Sequence, residues 1–372
     1  MNPISFDFHA RTRLIYGCGV SARLGELARA LGVRRTLLVA DPGMIAAGYA
    51  ATAAGHLDTA GLGVVTFSEF GENPDSLMVE AGRQFAAPLR IDAIVGLGGG
   101  SSLDCAKGIN FLLTNGGRMA DYRGYGRAAT PLLPMILIPT TAGTGSEAQS
   151  YAVISDAATH MKMACGDPSA AARIALLDPE LTLSAPRRVT ALAGYDALAH
   201  AVETWVTTKR TLLSDSFART AWELLTGAYE RLLGEPSDIE ARAAMLAGAH
   251  FAGMAIEQSM LGAAHACANP LTARYGLAHG LALSILLPHV VRFNAPAVAD
   301  RYAALAASAD ALASWLDRAA IAAGLGGSLR SHGAHEDDLP ELATLAAQQW
   351  TGTFNPRPFD ADAALGIYRA AW

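Results

Sequence analysis

Residues 91–107 read IDAIVGLGGGSSLDCAK, and this stretch decides the fold. The apolar run at 91–98 predicts a buried strand, and the residues from Ser101 onward predict a helix. Such a helix would aim its free N–H groups and the positive end of its dipole at the glycines before it. Glycines let the backbone approach an anion closely. The stretch is therefore interpreted as a strand, a phosphate-binding loop and a helix, although such a loop is often only a tight turn.

Similar apolar runs alternate with helical patterns through the first half of the chain. Helical periodicity occupies 22–31 and 44–60. The predicted strands are residues 35–41, 63–70, 91–98, 135–140 and 174–179. Strands that alternate with helices predict a parallel, doubly wound sheet. The first half is therefore predicted to be an α/β domain covering residues 1–185.

The hydrophobic pattern changes in the second half of the chain, where strand patterns nearly vanish after Pro186. Helical periodicity is found at 187–206, 214–233, 239–266, 281–293, 308–323, 339–350 and 361–372. A chain of 372 residues is long for one hydrophobic core and suits two domains. We therefore predict an all-α C-terminal domain covering residues 186–372.

Composition excludes several classes of protein. A net charge of −6 with scattered Lys and Arg gives no nucleic-acid surface. The four cysteines form no C-x-x-C pair, which favours free thiols in a reducing cytoplasm. The N-terminus lacks an apolar signal region, and no run of 18 apolar residues suggests a membrane span. We expect a cytoplasmic protein with neither nucleic-acid nor membrane partners.

A second polar loop, PTTAGTGSE at 139–147, follows the predicted strand at 135–140. Its hydroxyl groups suit ribose and phosphate oxygens, and ligands gather at the carboxyl ends of parallel strands. The ordinary dinucleotide fingerprint fails, because its third glycine position is occupied by Ser101. The acid suited to a ribose is Asp41, which lies upstream. Two such loops favour a dinucleotide site over a pair of capped turns.

Asp196 and His200 stand four residues apart in a helical stretch, which places both on one face. His265 lies near the end of a later predicted helix, and His279 opens the next. Three imidazoles and a carboxylate could complete a shell for Fe²⁺, Zn²⁺, Co²⁺ or Ni²⁺, and ligand softness does not choose among them. A single Asp-x-x-x-His pair is more often an ordinary surface or core pair.

Taken together, these motifs resemble those of the iron-containing alcohol dehydrogenases. The matching segments are GGGSSLDCAK at 98, PTTAGTGSE at 139, LLDPELTLSAP at 176, GYDALAHAVE at 194, HACANPLTARYGLAHGLALSILLPHVVRFN at 265 and NPRP at 355. The resemblance implies an α/β dinucleotide-binding domain followed by a helical metal-binding domain, the dehydroquinate synthase-like fold of iron alcohol dehydrogenases. It implies a homo-oligomer, a dimer or larger.

By motif match, the resemblance implies that the metal ligands are Asp196, His200, His265 and His279, with Fe²⁺ as the metal and Zn²⁺ or another divalent ion as the alternative. It implies that the cofactor-binding residues are Asp41, Gly98, Gly99, Gly100, Ser101, Asp104, Thr140, Thr141, Thr144 and Lys162. A carboxylate at Asp41 would repel a 2′-phosphate, which favours NAD over NADP.

One position departs from the family pattern. Many family members carry a histidine four residues after the third metal ligand, near the nicotinamide, where this chain has Asn269. An amide is no base at neutral pH, so Asn269 is predicted to hold substrate or nicotinamide by hydrogen bonds. The predicted catalytic residues are His265, His279 and Asn269.

The resemblance implies hydride transfer between a small alcohol or aldehyde and NAD(H). A substrate pocket could include Tyr151, Ile256, Met260 and Phe354, which could equally be ordinary core. The alternatives are a metal-free reductase resembling maleylacetate reductase, another reductase or a cyclising synthase on the same fold, and a non-catalytic nucleotide-binding protein. The intact set of Asp and His argues against the metal-free enzyme, and the absence of a Lys or Arg cluster in the helical half argues against the synthase.

Overall fold

The computed structural model describes residues 6–372, which form two compact units. One unit is Phe8–Ala185, and the other is Pro186–Trp372 together with Phe6 and Asp7. Each unit has its own buried apolar residues.

The first unit is built of short strands and helices. Its strands are β1 Arg13–Tyr16, β2 Arg35–Ala40, β3 Gly63–Phe67, β4 Ala93–Gly98, β5 Gly124–Tyr125, β6 Met135–Pro139, β7 Tyr151–Ser155, β8 Lys162–Gly166 and β9 Ile174–Leu177. Its α-helices are α1 Leu24–Ala30, α2 Pro42–Ala46, α3 Tyr49–Thr59, α4 Ser76–Ala86 and α5 Gly100–Asn115.

Six of these strands form a parallel sheet in the order β1-β9-β6-β4-β2-β3. Alternate residues of β2 enter different cores: Leu37 and Val39 belong to one apolar cluster, while Leu38 and Ala40 belong to the other. A parallel sheet buried on both faces needs continuous apolar strands, which explains the runs in the sequence. The predicted parallel, doubly wound sheet is confirmed.

The register of this sheet brings three strand ends together. Ala40 of β2 is opposite Leu97 of β4, and Gly98 of β4 is opposite Pro139 of β6. The loops that follow β2, β4 and β6 therefore start side by side at the carboxyl edge of the sheet. This is the edge where open parallel sheets bind ligands.

Several elements of this unit were not predicted. β1 has no clear sequence pattern, because only Ile15 of its four residues is buried. β5, β8 and β7 form a separate three-stranded sheet that sequence periodicity did not indicate. The single helix predicted at 44–60 is two helices, α2 and α3, because Gly48 adopts a left-handed conformation with φ 80° between them.

The second unit is helical. Its helices are α6 Arg187–Val206, α7 Leu212–Gly234, α8 Ile239–Ser259, α9 Ala263–Tyr275, α10 His279–Ala303, α11 Ala309–Ala322, α12 Leu339–Ala347 and α13 Ala361–Ala371. The helix predicted at 239–266 is wrong in one respect: the chain leaves α8 at Met260, whose φ is 69°, and restarts at α9. His265 therefore lies in the first turn of α9 and not near the C-terminal end of the preceding helix.

The helix α10 is long and apolar enough to cross a membrane, judged by length and composition alone. Most of its apolar window is buried inside the helical unit, where it packs against α6, α9, α11 and α13. Pro288 and Pro296 interrupt its hydrogen bonding, and Val298 departs from helical geometry. These features are those of a core helix, and His279 is its first residue.

Candidate metal and nucleotide sites

Three helices bring the four predicted metal ligands together. Asp196 and His200 lie on α6, His265 lies in the first turn of α9, and His279 begins α10. From Oδ1 of Asp196, the Nε2 atoms of His200, His265 and His279 lie 3.2, 3.5 and 3.9 Å away. The rings of His200 and His265 are stacked with their centroids 4.8 Å apart. Four side chains from distant parts of the sequence therefore point at one small volume.

These residues fit a divalent metal ion. Among the described residues, Oδ1 of Asp196 and Nε2 of His265 are buried without a hydrogen-bond partner. Leaving a buried polar atom unpaired costs about 1–3 kcal/mol, and a cation between these atoms would remove that cost. Ligand atoms of Asp196, His265 and His279 all lie within 4.8 Å of one another. Imidazole and carboxylate are ligands that first-row divalent metals accept.

The charges of the site favour a cation as well. Burial alone would raise the pKa of Asp196, but the neighbouring imidazoles outweigh it and the pKa is lowered well below its ordinary value. Burial would lower the pKa of His265, but the carboxylates of Glu203 and Asp196 together raise it to about 9. The metal-free site thus keeps an ionised carboxylate beside an imidazole that readily takes a proton.

Glu203 is a functional candidate that the sequence analysis missed. It lies on α6, and its side chain is buried. One carboxylate oxygen accepts a hydrogen bond from the backbone N–H of Ala264 at 2.7 Å, and the other pairs with Nδ1 of His265. Asp196, His200 and Glu203 stand at i, i+4 and i+7, so helical spacing alone could have placed all three on one face.

Asn269 lies one turn after His265 on α9 and is half-buried. Its Nδ2 donates to Oε1 of Gln349 at 3.2 Å, and Nε2 of Gln349 donates to the carbonyl of Leu345 at 3.3 Å. This chain of donors fixes the orientation of both amides. The Oδ1 atom of Asn269 takes no part in these two hydrogen bonds.

The two predicted nucleotide loops are in direct contact. The backbone N–H of Thr140 donates to the carbonyl of Gly98 at 2.9 Å. A Cβ atom on Gly100 would lie 2.4 Å from Cγ2 of Thr144, and one on Gly99 would lie 3.3 Å from Oγ1 of Thr141. The φ of Gly98 is 142°, a conformation that favours glycine. Gly98 and Gly100 therefore leave no room for a side chain where the two loops meet, whereas the fit at Gly99 is tight but less restrictive.

Two further residues predicted to bind the cofactor lie beside this surface. Asp41 caps α2 by accepting from the backbone N–H groups of Gly43 and Met44. The hydroxyl of Ser101 accepts from the backbone N–H of Asn73, a residue with φ 50°. The loop around Asn73 therefore lies next to the glycine loop. Nothing in the sequence pattern had indicated this loop.

Asp104 lies under the same surface, in a buried polar cluster. It accepts from the hydroxyl of Ser146 at 2.7 Å and lies 4.0 Å from Nζ of Lys107. Burial raises the pKa of Asp104, although Lys107, Ser146 and Lys162 act against that rise. Lys107 is fully buried and donates to the carbonyls of Ser146, Gln149 and Tyr151. Asp104 and Lys107 therefore fix the end of the threonine loop to α5.

The residues considered for a substrate pocket lie in both units. Tyr151 begins β7 and packs on Tyr125 with ring centroids 5.4 Å apart. Ile256 and Met260 are buried in the helical unit, and Phe354 is half-buried there. Their contact with substrate stays a prediction.

Comparison with known proteins gives a consistent family. The profile described as iron-containing alcohol dehydrogenase matches residues 11–179, and the C-terminal profile of the Fe-containing alcohol dehydrogenase family matches residues 190–372. The NAD-dependent methanol dehydrogenase of Bacillus methanolicus is 33% identical over 92% of this chain and 93% of its own length. The 1,3-propanediol dehydrogenase of Citrobacter freundii is 32% identical over 99% of both chains. The solved structure of a 1,3-propanediol oxidoreductase superposes with a TM-score of 0.95 at 30% identity, covering 99% of this chain and 100% of that one.

Proposed function

This chain belongs to the iron-containing alcohol dehydrogenase family, and on that premise we propose that it interconverts small neutral alcohols and their aldehydes, using NAD(H) in preference to NADP(H). The proposed metal is Fe²⁺, held by Asp196, His200, His265 and His279. The observation that carries this proposal is the convergence of three imidazole Nε2 atoms on the buried carboxylate of Asp196.

We also propose that the two units bind different ligands. Residues 1–185 would bind the nucleotide and residues 186–372 would bind the metal ion. When bound, a divalent metal ion supplies a Lewis acid for the oxygen of the alcohol or aldehyde, and the nicotinamide supplies the hydride chemistry.

In the proposed nucleotide site, the backbone N–H groups of Gly99, Gly100 and Ser101 at the start of α5 bind the pyrophosphate. The dipole of α5 adds to their attraction for the phosphate charge. Thr140, Thr141 and Thr144 offer hydroxyl groups from the adjoining loop. Lys162 is proposed to lie near a ribose of the nucleotide, and Asp104 is proposed to hold the loops in place from beneath.

Asp41 supports the preference for NAD. Its carboxylate sits at the carboxyl end of β2 beside the glycine loop, where an adenosine ribose would lie in a nucleotide bound to this edge of the sheet. A fixed negative charge there repels a 2′-phosphate.

The substrate class follows from the relatives and from the site. The relatives named above act on methanol and on 1,3-propanediol, as their names state. Asn269, one turn from His265, offers a neutral acceptor and no positive charge, which suits an uncharged hydroxyl compound. The metal-free alternative receives no support from a site that keeps the carboxylate and all three imidazoles. The homo-oligomer and the cytoplasmic location stay predictions.

Metal analysis combined with kinetics tests the proposal. The wild-type protein is expected to hold a divalent ion and to reduce NAD in the presence of small alcohols, with a panel of alcohols and aldehydes tested against both NAD and NADP. His279→Ala should lose the bound metal and turnover but keep NAD binding, because its side chain belongs to the helical unit. His289→Ala, on the same helix but outside the cluster, is the matched control. Full turnover by metal-free wild-type protein would overturn the metal's role.

A further inference from the structure

We propose that Glu203 is a positioning residue of the metal site. Its buried carboxylate holds the imidazole of His265 in the tautomer whose Nε2 can bind a metal ion, and it docks the first turn of α9 onto α6. This inference rests on the proposed function, because it takes His265 to be a ligand.

Glu203 is placed to make two different contacts. Its side chain is 4% exposed, and its Oε1 atom accepts from the backbone N–H of Ala264 at 2.7 Å. Its Oε2 atom pairs with Nδ1 of His265. Among residues 6–372, Glu203 forms no ion pair with Lys or Arg. The imidazole of His265 is therefore the side-chain partner of this buried carboxylate. Burying a charged group without a partner is costly, so removing either side chain would destabilise the other in its present position.

The pairing decides which nitrogen of His265 faces the other ligands. A carboxylate has no proton to give when ionised, so Nδ1 of His265 must carry the hydrogen in this contact. In the neutral imidazole, which is the form that binds a metal ion, the Nε2 lone pair is then directed away from Glu203. That atom lies 3.5 Å from Oδ1 of Asp196 and has no hydrogen-bond partner in the described chain. A hydrogen bond from the distal imidazole nitrogen is how proteins commonly orient histidine ligands.

The start of α9 depends on side chains from elsewhere, because Gly262 at its N-cap has no side chain to cap it. Glu203 satisfies the backbone N–H of Ala264, and Oδ1 of Asn355 accepts from the backbone N–H of Ala263 at 3.2 Å. Asn355 is itself held by a pair of hydrogen bonds with Asn294. Both caps are buried, but only Glu203 touches His265.

Replacing Glu203 by glutamine separates the two contacts. An amide has one oxygen, so it can accept from Ala264 or from His265 but not from both. In either orientation, its NH₂ group faces a donor. If that group faces Nδ1, it favours the tautomer with hydrogen on Nε2, which cannot bind a metal ion. The charge and one acceptor are lost while the volume of the side chain is kept.

The experiment compares metal affinity across three proteins stripped with a chelator. Zn²⁺ binding is measured by competition with a chromophoric chelator, for wild type, Glu203→Gln and Asn355→Ala. We expect Glu203→Gln to bind Zn²⁺ about 10- to 100-fold more weakly than wild type, the usual effect of removing such a partner. Asn355→Ala removes the other cap of α9 and should lower the melting temperature of the metal-free protein while leaving Zn²⁺ affinity close to that of wild type.

A second measurement needs no variant. In wild-type protein loaded with Zn²⁺ and labelled with ¹⁵N-histidine, His265 should show a hydrogen on Nδ1 that exchanges slowly with water. A hydrogen on Nε2 instead would overturn the proposal, even if Glu203→Gln fails to fold. So would an Asn355→Ala protein that loses as much Zn²⁺ affinity as Glu203→Gln, since loosening of α9 would then explain both.

Failure of this inference can be told apart from failure of the proposed function. If wild type binds no Zn²⁺, or if His279→Ala binds it as tightly as wild type, the proposed metal site itself is wrong. If wild type binds Zn²⁺ and His279→Ala does not, while Glu203→Gln matches wild type, only the role of Glu203 is wrong.

Discussion

The hydroxyl of Ser102 donates a hydrogen bond of 2.8 Å to Oδ2 of Asp41. Asp41 directly follows β2, and Ser102 lies in the first turn of α5, so this bond joins two residues that are 61 positions apart in the chain. The other carboxylate oxygen accepts from the backbone N–H groups of Gly43 and Met44. The negative charge of Asp41 is therefore held in a fixed position beside the glycine loop.

Replacing that charge should relax the choice of cofactor. We expect Asp41→Asn to raise the ratio of kcat/KM for NADP to that for NAD by about tenfold, which corresponds to about 1.4 kcal/mol. Asparagine caps helices as well as aspartate does, so stability should change little. Asp360→Asn, which alters the N-cap of α13 in the helical unit, is the control and should leave the ratio unchanged. The same ratio in Asp41→Asn and wild type would remove Asp41 from the nucleotide site.

The contact between the two nucleotide loops predicts that Gly100 is intolerant of any side chain. A Cβ atom there would lie 2.4 Å from Cγ2 of Thr144, so Gly100→Ala must push the loops apart. We expect the KM for NAD to rise at least about tenfold and stability to fall by about 1–3 kcal/mol, the range for overpacking. Steady-state kinetics and chemical unfolding measure the two effects.

Two further variants test this explanation. Gly227 lies inside α7, and a Cβ atom there would meet nothing within 4 Å. Gly227→Ala should therefore stabilise the protein by about 0.5–1 kcal/mol and leave the KM for NAD unchanged. Thr144→Ala removes the two atoms nearest to the added Cβ, so Gly100→Ala should cost less NAD affinity in a Thr144→Ala background than in wild type. An equal cost in both backgrounds would show that the loss has another cause.

The side chain of Asn269 does not titrate. Replacing it with a titratable side chain should therefore change how the enzyme's activity depends on pH. In Asn269→His, the new imidazole can act as a base in alcohol oxidation only when it is neutral. The activity of this variant relative to wild type should therefore rise as pH increases through about 6.5, the ordinary pKa of histidine. Asn269→Ala removes the amide without adding an ionisation, so its activity relative to wild type should be flat with pH. Parallel profiles for the two variants would contradict the proposed position of this residue.

The four cysteines should differ sharply in reactivity. Cys18 is exposed, whereas Cys105, Cys165 and Cys267 are buried. Burial raises the pKa of Cys165 to about 12 and also raises the pKa values of Cys105 and Cys267. Alkylation of the native protein at neutral pH should therefore add one group, and Cys18→Ser should add none. The raised pKa of Cys18, from partial desolvation and then the charges of Glu180 and Asp178, predicts slow labelling. Mass spectrometry counts the groups, and a second native adduct would contradict the burial of the other three.

Much of the fold could be predicted because buried parallel strands have a clear sequence pattern. β2, β4, β6 and β9 are apolar runs followed by polar or glycine-rich loops, so composition locates them. β1 has a single buried residue, and β5 has two exposed ones, so neither has such a pattern. The break at Met260 could not be predicted, because methionine is an ordinary helix residue and nothing in its side chain favours the positive φ of 69° that it adopts.

Only part of the candidate site could be predicted from the sequence. Asp196 and His200 stand at helical spacing, which sequence reasoning can use, and the resemblance supplied His265 and His279. Asn355 could not be given a role, because its contact with Ala263 spans 92 residues and is decided by packing. Asp41 was singled out for its charge, but its bond to Ser102 depends on the register between β2 and β4.

The pairing of β1 with β9 has a consequence for how the chain folds. The hydroxyl of Thr12, just before β1, bonds to the carbonyl of Ala172, 160 residues away. On a ribosome adding about 5–20 residues per second, that interval is roughly 10–30 s, far longer than local helices need to form. β1, with Leu14 and Tyr16 half exposed even in the finished sheet, must wait through it as an unpaired apolar strand. The edge of the sheet formed by β1 is therefore completed only after β9 has been synthesised, so the finished sheet forms late in the synthesis of the first unit.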